Sequence, residues 1–384
     1  MASRRHRSAS VPLLLAWLGL IVYTSLYPFN GWRWPPGAAL TDLLVLPWPR
    51  YFIGFDIVAN LLGYMPLGFL LCVLGWRRGH AAVNGLLLAV LCGATLSYAM
   101  ECTQYLLPQR VSSLLDALLN TVGTAMGGLL ATFSAARGWL DRWQSERDRW
   151  FAQGSAMATT LLLLWPAGLL FPAPLPLGLG QIGAPVRQLL ARLLADIDWA
   201  GPSEPSGQLG QLVDWLGSPS PLSPPLPNLV EALATALGLL CPCLLACCAA
   251  RPGYLRSRLI LAVATLAFAV TTLSTALNFG PDRALAWVTP STLLAMAAAL
   301  GLAMALRNLP PRRTAVLALL ALLGMVLLVH AAPADPYYAQ SLHDWAQGRF
   351  VRFHGLAQWV GWLWPYAAMA WLLSRLGASS GSRS

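Results

Sequence analysis

Charge is what this sequence has least of. Only 10% of its 384 residues are Asp, Glu, Lys or Arg, where a soluble domain carries about 25%. With 57% hydrophobic residues and a mean hydropathy of +0.58, that deficit excludes an ordinary soluble domain and points to a polytopic membrane protein. Cysteine is sparse too. All seven cysteines lie in or near apolar runs, so no disulfide framework is implied. There is no G-x-x-x-x-G-K-[ST] loop, which argues against P-loop ATP hydrolysis. A G-x-S-x-G elbow is also absent. His330, His343 and His354 have no compact ligand spacing, and His330, at a helix end, reads as interfacial. Cys241, Cys243, Cys247 and Cys248 form C-P-C-x3-C-C inside an apolar run, where Cys packs as a small hydrophobe. No metal and no other cofactor is therefore expected.

What the chain does have is long apolar runs. About ten approach the ~20 residues that span a bilayer. They lie near 11–28, 56–75, 81–106, 113–134, 155–171, 228–249, 258–277, 285–306, 314–332 and 355–375. No small-x-small cleavage site follows the first, so it reads as a retained helix rather than a signal peptide. The 17 Trp suit two interfacial belts.

The net charge of +10 follows the loops. RRHR (4–7), WRRGH (76–80), the Arg-rich 137–149, RPGYLRSR (251–258), RNLPPRR (307–313) and the tail with Arg375 and Arg383 form one alternating set. By the positive-inside rule this set is cytoplasmic, which gives ten spans with both termini inside. These loops also read as places that meet anionic lipid, and not as nucleic-acid sites. The opposite loops are rich in Trp, Tyr and Pro. Residues 29–55 read as a segment lying along the outer interface, and 172–227 as a Pro-rich outer loop. Within the latter, 181–199 has the spacing of an amphipathic interfacial helix. Residues 333–354 read as an interfacial anchor. The expected domains are a four-helix module at 1–136, a cytoplasmic linker at 137–154 and a six-helix extension at 155–384.

Two stretches look like copies of each other, DIVANLLGYMPLG (56–68) and DALLNTVGTAMGG (116–128). Asp56 matches Asp116, Asn60 matches Asn120, Gly63 matches Gly123 and Gly68 matches Gly128, each sixty residues apart. Asp and Asn at i and i+4 share a helix face, and the Gly continues it. Both copies would start at the outer ends of descending helices. The ascending helix between them ends in SYAMECTQYLLPQR, placing Glu101, Gln104 and then Arg110 at the same level.

Asp56, Asn60, Glu101, Gln104, Arg110, Asp116 and Asn120 thus form a candidate ligand-binding cluster in the outer half of the bilayer. A carboxylate in hydrocarbon costs several kcal/mol and usually faces a bundle interior or a wet cavity. Gly63, Gly68, Gly123, Gly127 and Gly128 would allow close helix packing below it. Capping competes with ligand binding as the reading of Asp56 and Asp116, because Asp at a helix start suits the dipole. Asn can simply join helices. Glu101 resists that explanation, since it lies at a helix end where the dipole disfavours an anion.

At these residues the first third resembles the VanZ-like family. The matching residues are Asp56, Asn60, Gly63, Pro66 and Gly68, then E-x2-Q-x3-P-x-R-x5-D-x3-N-x2-G-x3-G from Glu101 to Gly127. The resemblance covers about 11–135. The later helices resemble the long variant of the family, GRFVRFHGLAQWVGWLWP included. The resemblance implies an integral membrane module of the bacterial cell envelope, in the cytoplasmic membrane. It also implies a link to resistance against teicoplanin, a glycopeptide that binds cell-wall precursors.

The expected fold is an all-α polytopic bundle. The leading expected function is non-enzymatic binding of a membrane lipid or a lipid-linked cell-wall or polysaccharide intermediate. Two alternatives stand beside it. One is an enzyme on a lipid-linked phosphate, with Glu101 or Asp116 as general base and Arg110 on the phosphate. The other is a transporter, disfavoured because the polar groups sit above the midplane and the repeat is parallel.

Overall fold

The computed structural model describes residues 10–27, 29, 31–49, 54–152, 154–171, 173, 175–183, 186, 190, 227–331 and 351–378. Their regular structure is helical: α1 (Ser10–Leu26), α2 (Leu40–Leu44), α3 (Gly54–Arg77), α4 (Ala82–Gln104), α5 (Leu114–Ala136), α6 (Trp139–Trp150), α7 (Ala156–Leu169), α8 (Pro227–Ala249), α9 (Tyr254–Phe279), α10 (Pro290–Leu306), α11 (Pro311–Ala331) and α12 (Val351–Ala378). A short 3-10 turn, Pro281–Arg283, follows α9. The chain divides into two compact units, 1–160 and 161–384.

Among the described residues, six helices are long and apolar enough to cross a membrane: α3, α4, α5, α8, α9 and α11. The expected count of ten is not reached among the described residues, and three of the expected spans are shorter. α1, α7 and α10 are apolar but have only 17, 14 and 17 residues. α10 starts late because Thr289 caps it. The Thr289 hydroxyl accepts from the Thr292 N–H at 3.2 Å, and Thr292 Oγ1 accepts from the Thr289 N–H at 2.8 Å. Pro290 then takes the first helical position, where its missing N–H costs nothing.

The surface of unit 1 marks it as a membrane protein. α4 buries Gly85, Ala89, Gly93, Ser97 and Glu101 and leaves Val83, Leu87 and Leu91 each more than 60% exposed. Small and polar residues face inward and large apolar ones outward, the arrangement that lipid favours and water does not. The protein is a multi-pass membrane protein.

In unit 1, α3 packs most extensively on α5, and α4 packs on both. α3 and α5 run parallel. Gly123 lies against the carbonyl of Leu61, and Gly127, one turn on, against the carbonyl of Met65. Gly68 lies against the backbone of Thr124. A methyl group at any of these three positions would meet backbone, which cannot yield, so the helices touch main chain to main chain. Thr124, fully buried, also fills the gap over Gly93 of α4. α1 adds Leu14 and Ile21 to Tyr64 and Leu67 of α3.

In unit 2, α8 is the central helix and contacts α9, α10 and α11. Cys241, Cys243, Cys247 and Cys248 are all buried in it. Residues 175–183 are irregular, and Leu175, Leu177, Gly178, Leu179 and Gly180 are buried. This part of the expected outer loop is therefore packed inside unit 2. Its backbone is supplied with partners. Pro365 of α12 has no N–H for the carbonyl four residues back, that of Gly361, which instead accepts from the Gly180 N–H at 2.9 Å. The Gly180 carbonyl accepts from Tyr366 Oη at 3.2 Å. Leu177 sits at φ 59, a left-handed conformation that costs a non-glycine residue about 1 kcal/mol or more.

His330, expected at an interface, is tied to this segment. Its Nδ1 donates to the Val326 carbonyl at 2.7 Å and its Nε2 accepts from the Gly183 N–H at 3.0 Å. Only a neutral ring protonated on Nδ1 satisfies both partners. Arg256 corrects the reading of the Arg-rich loops as lipid-facing throughout. It is 1% exposed, and its guanidinium donates to the carbonyls of Ala250, Arg307 and Leu309. The 181–199 helix lies almost wholly outside the described residues, and 333–350 and His343 lie outside them. His354 lies in α12, but its side chain is outside the description.

Candidate functional site

The candidate site lies at one end of unit 1, where α3 and α5 begin and α4 ends. Glu101 is on the last turn of α4 and only 3% exposed. Its Oε2 accepts from the Ser113 backbone N–H at 2.9 Å. Ser113 in turn caps α5, its hydroxyl accepting from the Asp116 N–H at 3.3 Å. The α4 carboxylate thus reaches across to the positive end of α5, where the dipole favours an anion. This resolves the conflict that Glu101 has with the C-terminus of its own helix.

One turn down α4, Ser97 is fully buried. Its hydroxyl accepts from Asn120 Nδ2 at 2.9 Å. Asn120 is 5% exposed, and its Oδ1 has no hydrogen-bond partner among the described residues. The Tyr64 hydroxyl of α3, equally buried, lies beside Ser97. The buried floor of the site is therefore Glu101, Ser97, Asn120 and Tyr64. Asn120 Oδ1 is left without a partner among the described residues, which a buried group seldom tolerates without water or a ligand.

Asp116 is half-buried in the first turn of α5. Asp56, its counterpart in the first copy, is exposed at the start of α3, and Asn60 is half-buried one turn on. Gln104 and Arg110 serve α1. Gln104 Nε2 donates to the Ser25 carbonyl at 3.0 Å. Arg110 donates through Nε and Nη2 to the Tyr27 carbonyl and through Nη2 to that of Thr24. Those are carbonyls at the C-terminus of α1, which need donors and attract a cation. The structure thus brings Glu101 and Asn120 together at the floor. It directs Gln104 and Arg110 toward α1 and leaves Asp56 at the rim.

The glycines divide in the same way. Gly68, Gly123 and Gly127 make the backbone contacts described above, and Gly128 faces the Leu86 side chain. Gly63 takes no part, since open space lies over its α-carbon. Its carbonyl instead accepts from Trp17 Nε1 at 2.8 Å.

Residues 31–49 lie over this end. The Arg33 N–H donates to the Leu106 carbonyl and the Leu114 N–H to that of Pro47, both at 3.0 Å. Tyr98 donates its hydroxyl proton to the Leu44 carbonyl. Trp32, Trp34 and Trp48 are exposed along the segment.

Comparison with known proteins returns one family. Residues 11–135 match the VanZ/LLP1 family. The matched VanZ-like segment contains every residue of the floor and all seven candidate residues. No curated protein and no solved structure matches the chain. Ser97, Tyr64 and Ser113 belong to the candidate site but were not singled out in the sequence. One signal was available for Ser97. Gly85, Ala89, Gly93 and Ser97 recur every four residues up to Glu101, a small-residue stripe in a Leu-rich helix.

Proposed function

We propose that the VanZ-like module binds the head group of an envelope lipid, and that this lipid is a lipid-linked cell-wall or polysaccharide intermediate. The observation that supports it is the floor of the site. A buried carboxylate, Glu101, stands one helical turn from Ser97, which holds Asn120, and Asn120 Oδ1 has no hydrogen-bond partner among the described residues. Such a group of acceptors suits sugar hydroxyls or an ammonium. It suits a phosphate less well, because the Arg110 guanidinium donates to α1 carbonyls. Asp56 and Asn60 at the rim extend the same chemistry outward. Exposed Trp residues of 31–49 give a platform at head-group depth. A ligand of this class would also account for a link to teicoplanin, which engages the same precursors.

Native mass spectrometry of full-length protein released from native-lipid nanodiscs tests the proposal, wild type beside Glu101→Gln. Gln keeps an oxygen for the Ser113 N–H, so the variant is expected to fold. A lipid-linked saccharide retained by the wild type and lost in the variant is the expected result. Bulk phospholipid alone, equal in both, overturns it.

A further inference from the structure

Unit 2 has a second feature that the VanZ-like site does not use. Between the start of α11 and the end of α12 lies a cavity of about 250 Å³, lined by Cys248, Ala315, Trp371, Leu372, Arg312 and Arg375 among others. Its wall is apolar: Cys248, Ala315, Trp371 and Leu372 are all buried. Its mouth is basic. Arg312 is in the first turn of α11, and Arg375 is in the last turn of α12, its guanidinium 5.8 Å from the centre of the Trp371 ring.

The surroundings deepen this charge. Arg251, Arg256, Arg258, Arg307 and Arg313 belong to the same end of unit 2, and residues 248–258, 307–313 and 371–378 contain no Asp or Glu. The two described acids of unit 2, Glu231 and Asp282, stand at the other end, at the start of α8 and just after α9. The chain has no lysine at all, so each of these cations is a guanidinium, the group that fits phosphate through paired N–H donors. Arg312 and Arg313 also oppose the positive end of the α11 dipole.

We infer that this cavity binds an anionic glycerophospholipid, with the phosphate between Arg312 and Arg375 and an acyl chain along Trp371, Leu372 and Ala315. The apolar wall separates this ligand from a free anion, which needs only the mouth. The site is independent of the one in unit 1.

The test uses full-length protein in a neutral detergent. It is titrated separately with short-chain phosphatidylglycerol, phosphatidylcholine of the same chains and inorganic phosphate, followed by thermal unfolding and by native mass spectrometry. Phosphatidylglycerol is expected to bind about tenfold or more tightly than phosphatidylcholine, a difference of roughly 1.4 kcal/mol. Arg375→Gln is expected to abolish that preference and Arg375→Lys to restore part of it. Arg375 is exposed, so these variants are expected to fold. Equal affinity for the two lipids, or a preference unchanged in Arg375→Gln, overturns the inference. A response to inorganic phosphate matching that to phosphatidylglycerol overturns the lipid assignment and leaves a free-anion site.

Discussion

Glu101 at the end of α4 and Ser113 at the head of α5 are joined by one hydrogen bond, in which the Ser113 N–H donates to Glu101 Oε2 at 2.9 Å. Both residues are buried. Glu101→Ala removes that acceptor and is expected to destabilise the protein by about 1–3 kcal/mol. Glu101→Gln keeps an oxygen in place and is expected to lose much less. Thermal unfolding of the purified variants in one detergent makes the comparison, and an Ala variant as stable as the parent would remove the bond from any account of the turn.

The close approach of α3 and α5 predicts opposite outcomes for two glycines. Gly127→Ala drives a methyl group into the Met65 carbonyl and is expected to cost about 1–3 kcal/mol through overpacking. Gly63→Ala meets open space and gains helix propensity, so it is expected to be neutral or to stabilise by up to about 1 kcal/mol. Unfolding by SDS in mixed micelles reads both. Equal losses would contradict the difference between the two glycines' surroundings.

Arg256 joins the ends of three helices in unit 2 through the carbonyls of Ala250, Arg307 and Leu309. A lysine carries one compact ammonium on a flexible stem and cannot reproduce that spread of donors. Arg256→Lys is therefore expected to lose on the order of 2–3 kcal/mol, the scale of charge-assisted hydrogen bonds. Proteolysis at the α8–α9 and α10–α11 turns should accelerate with it. A variant that resists protease like the parent would show that the carbonyls find other donors.

The helical class and the membrane setting were legible because they are written in composition and run length. Glu101 was legible because a carboxylate near the end of an apolar run is costly wherever it goes. What it bonds to was not, since Ser113 reaches it only through the fold of the α4–α5 turn. The repeat was visible, but not that its copies live differently. Asn120 is buried and Asn60 half-buried, and Gly123 meets backbone where Gly63 meets space. Equal residues acquire unequal surroundings once α5 lies against both α3 and α4. That Arg110 donates to the end of α1 was not visible, because nothing local reveals that α1 ends beside it. The Pro- and Gly-rich start of 172–227 looked like a surface loop, because the helices that enclose it come much later in the chain.

That last feature sets an order of events during synthesis. Gly183 donates its N–H to a histidine 147 residues downstream, and the Gly180 carbonyl waits for a tyrosine 186 residues downstream. Until α11 and α12 have left the ribosome, the Gly183 N–H and the Gly180 carbonyl lack these partners, while Leu175, Gly178 and Ile182 already have local ones. These two bonds therefore form only after the last helices are made, and the packing of 175–183 in unit 2 is complete only with α12.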